Sequence, residues 1–304
     1  MAGTLVIWNP TAGGGRAEDR DKRRDELREL LLERGIEAEI FVSPSEDEAV
    51  ERVDTAVRDG HRTIVAAGGD GTVRAVALRL LDRDVALGIL PMGTAMNVAR
   101  SLDIPLELPL AADLLRGCEP RSIDVAQVRG ETFLEVASIG AAAELLAGGR
   151  EANEGRIGPA LDLLRQGIRN RRTRIRLKLD GREIHGRAPS IAIANGRFTG
   201  RGLELVPEAA LDDGRLDVLV FEGFGGLELL VHLARLLLGR AKDRRIRRYR
   251  ATTVDVVTHR PLPIRIDSGV VGTTPAVFTT RPRCLRVIAP ARLRAPTPDT
   301  LSAG

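Results

Sequence analysis

The chain has 304 residues, of which 43% are hydrophobic and 29% charged, a balance that excludes a disordered polymer and, at this length, predicts two domains rather than one core. The net charge of +4 is small and aromatic residues are only 3% of the chain, so the cores are expected to be built from Ala, Val, Ile and Leu. No stretch approaches the ~20 uninterrupted apolar residues of a membrane-spanning helix, and MAGTLVIWNP lacks the basic start and apolar run of a signal peptide. Cys118 and Cys284 are the only cysteines, too few and too far apart for a disulfide framework or a zinc site, and a reducing cytoplasm is the expected location.

Taken in chain order, the first part alternates strand and helix. Thr4 to Trp8 (TLVIW) predicts a short buried strand. After a glycine-rich turn comes a polar helix with Leu27, Leu30 and Leu31 on one face, ended by Gly35. Glu37 to Val42 predicts a second strand. Ser45 and Glu48 form an S-x-x-E capping box for a helix whose inner face is expected at Val50, Val53 and Val57, ended by Gly60. Thr63 to Ala67 is a third strand running into Gly68-Gly69-Asp70-Gly71-Thr72, and Val85 to Leu90 a fourth. Such alternation implies a doubly wound parallel sheet covered on both faces, with ligands beyond the carboxyl ends of its strands.

The pattern changes near Ile123. Ile123 to Val128, Phe133 to Ala137, Arg174 to Leu179, Ser190 to Ala194, Leu216 to Phe221, Thr253 to Thr258 and Pro263 to Asp267 predict strands separated by Gly, Pro and Asp turns. A β-sandwich is expected, with one strong helix beginning near Gly226. The resulting division is residues 1–122 as an α/β domain, 123–290 as a mainly β domain, and 291–304 as a Pro- and Ser-rich disordered tail.

Three turns fall where an anion site would form: Asn9-Pro10-Thr11-Ala12-Gly13-Gly14-Gly15 after the first strand, Gly68 to Thr72 after the third, and Pro91-Met92-Gly93-Thr94 after the fourth. Glycine lets backbone N–H groups turn toward a phosphate, and a following helix adds its positive end. Asp70 repels a phosphate, so its place there is as a hydrogen-bond anchor or a Mg²⁺ partner. A single glycine turn most often just joins strand to helix; three at successive strand ends point to a phosphate site.

With these turns in this order, the sequence resembles the diacylglycerol kinase catalytic-domain family. NPTAGGGR, AAGGDGTV, GILPMGTAMNVARSLDIP, FLEVASIG, LDDGRLDVLVF and RID with VVGTTPAVF follow the family's order over Leu5 to Pro290. GGDGT alone is shared with NAD kinases, which the late LDDGRLDV disfavours. The resemblance implies that Asn9, Pro10, Thr11, Ala12, Gly13, Ser43, Gly68, Gly69, Asp70, Gly71, Thr72, Val73, Arg74 and Thr94 line an ATP site. It further implies that Asp213, with the carbonyls of Ala210 and Arg215, holds Mg²⁺, and that Asp267 and Asp70 serve catalysis. By themselves Asp213 and Asp267 read equally as turn residues. The implied activity is an ATP-dependent lipid kinase; a pseudo-kinase that binds nucleotide or lipid is the alternative. Four departures stand out. Asp267-Ser268-Gly269 replaces the family's D-G-E, Arg74-Ala75 replaces its Asn-Glu, Met96 takes the place of an asparagine, and Ala141-Ala142-Ala143 lacks the third motif's acid.

Two stretches are densely basic, Arg165 to Lys178 and Arg240 to Arg250. The second follows an apolar helix carrying Leu229, Leu230, Leu233, Leu236 and Leu237, an arrangement suited either to an anionic membrane surface or to a core-facing helix with a solvated end. Nucleic acid is disfavoured because no aromatic platform accompanies the arginines and Tyr249 stands alone. Peripheral membrane association is therefore expected.

Overall fold

The computed structural model describes residues 3–10, 12, 20–43, 45–143, 157–158, 161–162, 164–165, 172–237, 245–267 and 269–291. The chain forms two compact units, Met1–Asp124 with Leu211–Asp213 and Pro282–Gly304, and Val125–Ala210 with Gly214–Arg281.

The first unit runs β1 (Thr4–Trp8), α1 (Arg20–Glu33), β2 (Ala38–Val42), α2 (Glu46–Arg58), β3 (Thr63–Gly68), α3 (Asp70–Arg79), β4 (Ala86–Pro91), α4 (Asn97–Ser101) and α5 (Leu108–Gly117). The strands are parallel in the order β2–β1–β3–β4. Leu5, Val6, Ile7, Ile64, Val65, Leu87 and Ile89 are buried, as strands covered on both faces require. Helix α1 closes on Gly35 at φ 67, with Gly35 N–H bonded to Leu32 O and Ile36 N–H to Leu31 O, the paired bonds of a Schellman end. At α2, Ser45 Oγ accepts the N–H of Glu48 at 3.2 Å. The inner face of α2 differs from the valine face predicted from spacing. Ala49, Val53 and Ala56 are buried, while Val50 and Val57 are half-buried. A stripe of small side chains lets the helix approach its neighbours closely, and the bulkier valines flank the contact.

The remaining strands are β5 (Pro120–Val128), β6 (Glu131–Phe133), β7 (Val136–Gly140), β8 (Thr173–Leu179), β9 (Arg182–Ala188), β10 (Ser190–Ala194), β11 (Phe198–Thr199), β12 (Leu203–Glu204) and β13 (Leu216–Phe221). Helix α6 (Gly226–Leu237) follows, then β14 (Ile246–Ala251), β15 (Thr253–Thr258), β16 (Pro263–Ile266), β17 (Gly269–Thr273) and β18 (Ala276–Ile288). Strands β5 and β18 each contribute residues to both units. In the first unit, the end of β18 lies parallel to β4, with Arg286 opposite Ala86 and Val287 opposite Leu87.

The second unit is an antiparallel sandwich. One sheet has the order β14–β13–β10–β7–β16–β17. It packs on the strands β9–β8–β15–β18 through Phe133, Ile139, Ile191, Leu177, Val254 and Phe278, with Phe133 and Phe278 edge to face at 6.4 Å. Its opposite face is covered by Leu203, Leu205, Val206, Phe224 and Leu229, which pack on Ala192, Ala194, Leu219 and Phe221. Burial on both faces explains why β10 and β13 read as mainly apolar runs, broken only by Ser190 and by Asp217, which is paired with Arg250. Strand β8 alternates instead, with Ile175, Leu177 and Leu179 buried and Arg174, Arg176 and Lys178 exposed. It joins β9 through Asp180-Gly181, both at positive φ, the two-residue turn whose twist matches a hairpin.

The single strand expected over Phe133 to Ala137 is two, β6 and β7, broken at Leu134-Glu135 by a side chain remote in sequence. Among the described residues, no helix is long and apolar enough to cross a membrane.

Candidate functional site

Parallel register places three turns side by side. Trp8 lies opposite Ala67, and Gly68 opposite Pro91. The ladder continues one residue past each strand: Asn9 N–H donates to Ala67 O at 3.0 Å, Met92 N–H to Gly68 O at 3.0 Å, and Ser43 N–H to Trp8 O at 2.8 Å. The turns after β1, β2, β3 and β4 therefore start in step at one edge of the sheet. Asn9, Pro10 and Ala12 are half-buried there, and Pro10 O accepts from Arg23 at 2.8 Å. Thr11 and Gly13, with Gly14 and Gly15, lie outside the described residues. Ser43 is buried, and its hydroxyl donates to Ser45 O.

Two glycines are required by close approach. A Cβ on Gly93 would meet Gly69 Cα at 2.6 Å, and a Cβ on Gly68 would collide with the Thr72 side chain. The turns after β3 and β4 thus touch backbone to backbone. Gly71 differs, because a Cβ there meets nothing within 4 Å. It lies in the first turn of α3, whose leading N–H groups have no acceptor within the helix. Thr94 is exposed and Thr72 half-buried. Val73 has a fully buried side chain, so only its backbone is available to a ligand.

Asp70 resolves as an anchor. Its Oδ2 accepts the N–H of Met96 at 2.8 Å and its Oδ1 that of Asn97 at 2.7 Å. Met96 precedes α4 in the left-handed conformation, φ 51 and ψ 46, and has no side-chain cap of its own. The Asp70 carboxylate supplies that cap from a distance. Burial pushes its carboxyl above the ordinary range, against the N–H groups of Asn97, Met96 and Val98, which pull it down. Arg74 reaches toward Glu46 at 3.7 Å. Its Nε is buried with no hydrogen-bond acceptor, as is Trp8 Nε1 at the end of β1.

In the second unit, the end of β10, the start of β7 and the end of β16 lie along one sheet edge, with Ala194 opposite Val136 and Ser138 opposite Arg265. Asp267 follows β16 directly. Its Oδ2 accepts the N–H of Leu134 at 2.7 Å and of Glu135 at 3.4 Å, and these bonds break the strand predicted there. Asn195 holds the same bend from the other side: its Nδ2 donates to Leu134 O at 3.2 Å and its N–H to Glu135 O at 2.9 Å. Sequence reasoning missed Asn195 and Glu135; the only signal was a polar residue closing or interrupting an apolar run. Gly269 stands at φ 127, and Ser268 lies outside the described residues.

Asp213 is half-buried in the turn before β13, Ala210 is buried and Arg215 half-buried. The neighbouring Asp212 is paired with Arg121 at 3.0 Å. Among the described residues, no three His, Cys, Asp or Glu side chains cluster as a metal cage. Any Mg²⁺ at Asp213 must draw most of its ligands from carbonyls, water and phosphate, which suits that ion.

Of the basic stretch Arg240 to Arg250, the described part is β14 rather than a helix end. Its arginines are engaged, Arg247 with Glu222 at 2.8 Å, Arg248 with Glu208 at 2.6 Å and Arg250 with Asp217 at 2.9 Å. Residues 238–244, and the side chains of Leu233, Leu236 and Leu237, lie outside what is described.

Comparison with known proteins agrees with this geometry. Residues 3–128 match the diacylglycerol kinase catalytic domain, and residues 137–289 match the YegS C-terminal NAD kinase beta sandwich-like domain. A protein named "Probable lipid kinase YegS-like" from Pseudomonas syringae pv. syringae (strain B728a) is 34% identical over 84% of this chain and 85% of its own. One named "Probable lipid kinase YegS" from Escherichia fergusonii is 34% identical over 76% of this chain and 78% of its own. The crystal structure of a diacylglycerol kinase from Bacillus anthracis str. Sterne shares the fold at TM-score 0.73 and 21% identity, covering 95% of this chain and 97% of that one. The phosphate-type turns, the parallel sheet that carries them, the antiparallel sandwich and these matches together place the chain in the diacylglycerol kinase catalytic-domain family.

Proposed function

We propose that this protein is an ATP- and Mg²⁺-dependent kinase that transfers phosphate to a hydroxyl of a diacylglycerol-like lipid. The observation that carries the reading is the triple of turns after β1, β3 and β4, brought to one sheet edge and locked by Asp70 and by the Gly69–Gly93 contact. The relatives' names as lipid kinases support it. The cradle fits a nucleotide, because the glycines keep side chains out of the space that phosphates need. ATP supplies the phosphoryl group, and Asp213, with the carbonyls of Ala210 and Arg215, would hold a Mg²⁺ whose charge would offset that of the phosphates. Asn9, Thr94 and the N–H groups of Gly71 and Thr72 are the groups offered to the nucleotide. Arg74 offers a guanidinium for phosphate oxygens.

Asp267, fixed on the backbone of Leu134 and Glu135, is the carboxylate offered to the acceptor hydroxyl proton. Phosphoryl transfer depends mainly on positioning and charge stabilisation, and a general base adds ~10²–10⁴-fold. Gly269 supplies no carboxylate, and this observation favours the second reading, a nucleotide-binding protein with little turnover. A lipid substrate also implies work at an anionic membrane surface from the cytoplasm.

The deciding experiment incubates the full chain with Mg²⁺, ATP labelled on its terminal phosphate, and a panel of lipids in mixed micelles. Label in the lipid extract supports the kinase. ATP binding without label in any lipid establishes the second reading.

A further inference from the structure

We infer that the outer face of the β8–β9 hairpin is the surface on which this protein seats against an anionic phospholipid bilayer. The occupant rests on the lipid-kinase reading; the location rests on the geometry of the sandwich alone.

Strand β8 points Ile175, Leu177 and Leu179 into the core, so Arg174, Arg176 and Lys178 share the opposite face. At two-residue spacing they stand about 7 Å apart in a row. Directly across on β9 lie Arg187, His185 and Glu183 respectively. Arg174 opposite Arg187 is a like-charge pair, which lowers the stability of a sheet in water. Glu183 serves Arg176 at 3.4 Å and approaches His185 at 3.8 Å. On the other side of β8, Asp255 of β15 lies opposite Lys178 and Val257 opposite Arg176. Val277 of β18, opposite Asp255, is 49% exposed. The face therefore sets four cations and His185 against two acids, and ends in an exposed valine. Among the described residues, Arg174, Lys178 and Arg187 make no ion pair.

The contrast with β14 shows that this is not the protein's general treatment of arginine. Arg247, Arg248 and Arg250 each face a carboxylate within 3 Å. Protection of a sheet edge explains charges on β9, the last strand of its sheet. It does not explain Arg174 and Lys178, because β8 is flanked by β9 and β15. Unpaired cations on a sheet face beside the exposed Val277 match a layer of anionic headgroups over acyl chains.

The test is co-sedimentation of the full chain with vesicles of phosphatidylcholine alone or mixed with phosphatidylglycerol, over a salt series. The variants are Arg174→Gln/Lys178→Gln/Arg187→Gln and, as the control, Arg247→Gln/Arg248→Gln. Wild type is expected on the mixed vesicles only, with binding weakening as salt rises. Each cation near an anionic surface contributes about fivefold, so the triple variant should lose about a hundredfold. The double variant should bind as wild type. Its melting temperature and that of the triple variant check that both are folded.

Wild-type binding retained by the triple variant overturns the assignment, as does a wild type that ignores the anionic vesicles. Concentration-dependent self-association in wild type that the triple variant abolishes would also overturn it, making a second copy the occupant. Phosphate transfer to a short-chain, water-dispersed diacylglycerol is measured in parallel. Failure of that transfer in wild type, with vesicle binding and its loss intact, sinks the kinase reading and leaves the membrane face standing.

Discussion

Asp70 Oδ1 accepts the N–H of Asn97 at 2.7 Å across 27 residues of sequence, so a side chain at the start of α3 fixes where α4 begins. Its second oxygen holds Met96. An asparagine keeps one acceptor and turns its amide N–H₂ toward the other donor. Asp70→Asn is therefore expected to lower stability by about 1–3 kcal/mol, read as a lower urea midpoint at unchanged slope, and to weaken Mg·ATP binding as the turn after β4 loosens. An unchanged midpoint would show that one of the two bonds holds the turn by itself.

Gly71→Ala separates binding from folding. The added methyl meets no protein atom within 4 Å, and alanine stabilises a helix over glycine by up to about 1 kcal/mol. The variant should melt no lower than wild type. It should bind ATP at least tenfold more weakly, because the methyl occupies space proposed for phosphate. Full ATP affinity in calorimetry would move the nucleotide away from the first turn of α3. Gly93→Ala should instead lower both stability and affinity, since it drives the Gly69 and Gly93 backbones apart.

Asp180 predicts an acid-sensitive seam in the sandwich. Burial acts upward on its carboxyl, but the Thr252 hydroxyl and the N–H groups of Thr252 and Thr253 outweigh it and hold the pKa below the ordinary range. A depressed folded pKa gives stability that is complete above the unfolded value of about 4 and is lost as pH falls through the folded value. Below about pH 4, amide exchange at Thr252 and Thr253 should accelerate more in wild type than in Asp180→Asn, which has no charge to lose. Parallel behaviour of the two proteins would remove Asp180 from the acid transition.

Asp267 offers a split between structure and chemistry. Asp267→Asn retains a carbonyl oxygen for Leu134 N–H, so the bend before β7 and the melting temperature should change little. Turnover should fall by ~10²-fold or more if the carboxylate takes the hydroxyl proton. Asp267→Ala removes the acceptor and should also cost about 1–3 kcal/mol. Equal loss of stability in both variants, with turnover tracking stability, would assign Asp267 a purely structural place. Writing the family's glutamate into Gly269 is expected to be costly, since φ 127 strains any side chain by about 1–3 kcal/mol.

Local grammar made most of the framework legible. Alternating strand and helix signals predicted the parallel sheet, Gly35 its helix end, and the Ser45 cap the start of α2, because each depends on residues a few positions apart. What spacing could not show were effects set by distant partners. The valines of α2 look like the better core face until the alanine stripe is seen to permit closer packing. The break in Phe133 to Ala137 is caused by Asp267, more than a hundred residues later. The glycine turns were visible as candidates, yet the role of Asp70 between anchor and metal partner was undecided until Met96 and Asn97 were found on its oxygens. Basic runs were visible as charge but not as paired or unpaired charge: β14 and β8 are both rich in cations, yet Arg247, Arg248 and Arg250 of β14 meet carboxylates while Arg174 and Lys178 of β8 make no ion pair among the described residues.

The pairing of Ala86 with Arg286 has a consequence for biosynthesis. Strand β4 gains its outer neighbour only from residues 282–288, some two hundred positions later in the chain, so the unit synthesised before the sandwich is completed after it. Until then β4 presents a parallel edge with unfilled hydrogen bonds, an invitation to mispairing during synthesis. A chain stopped just short of Pro282 would keep that edge open for good, and chaperone retention of nascent chains should end abruptly once residues 282–288 clear the exit tunnel.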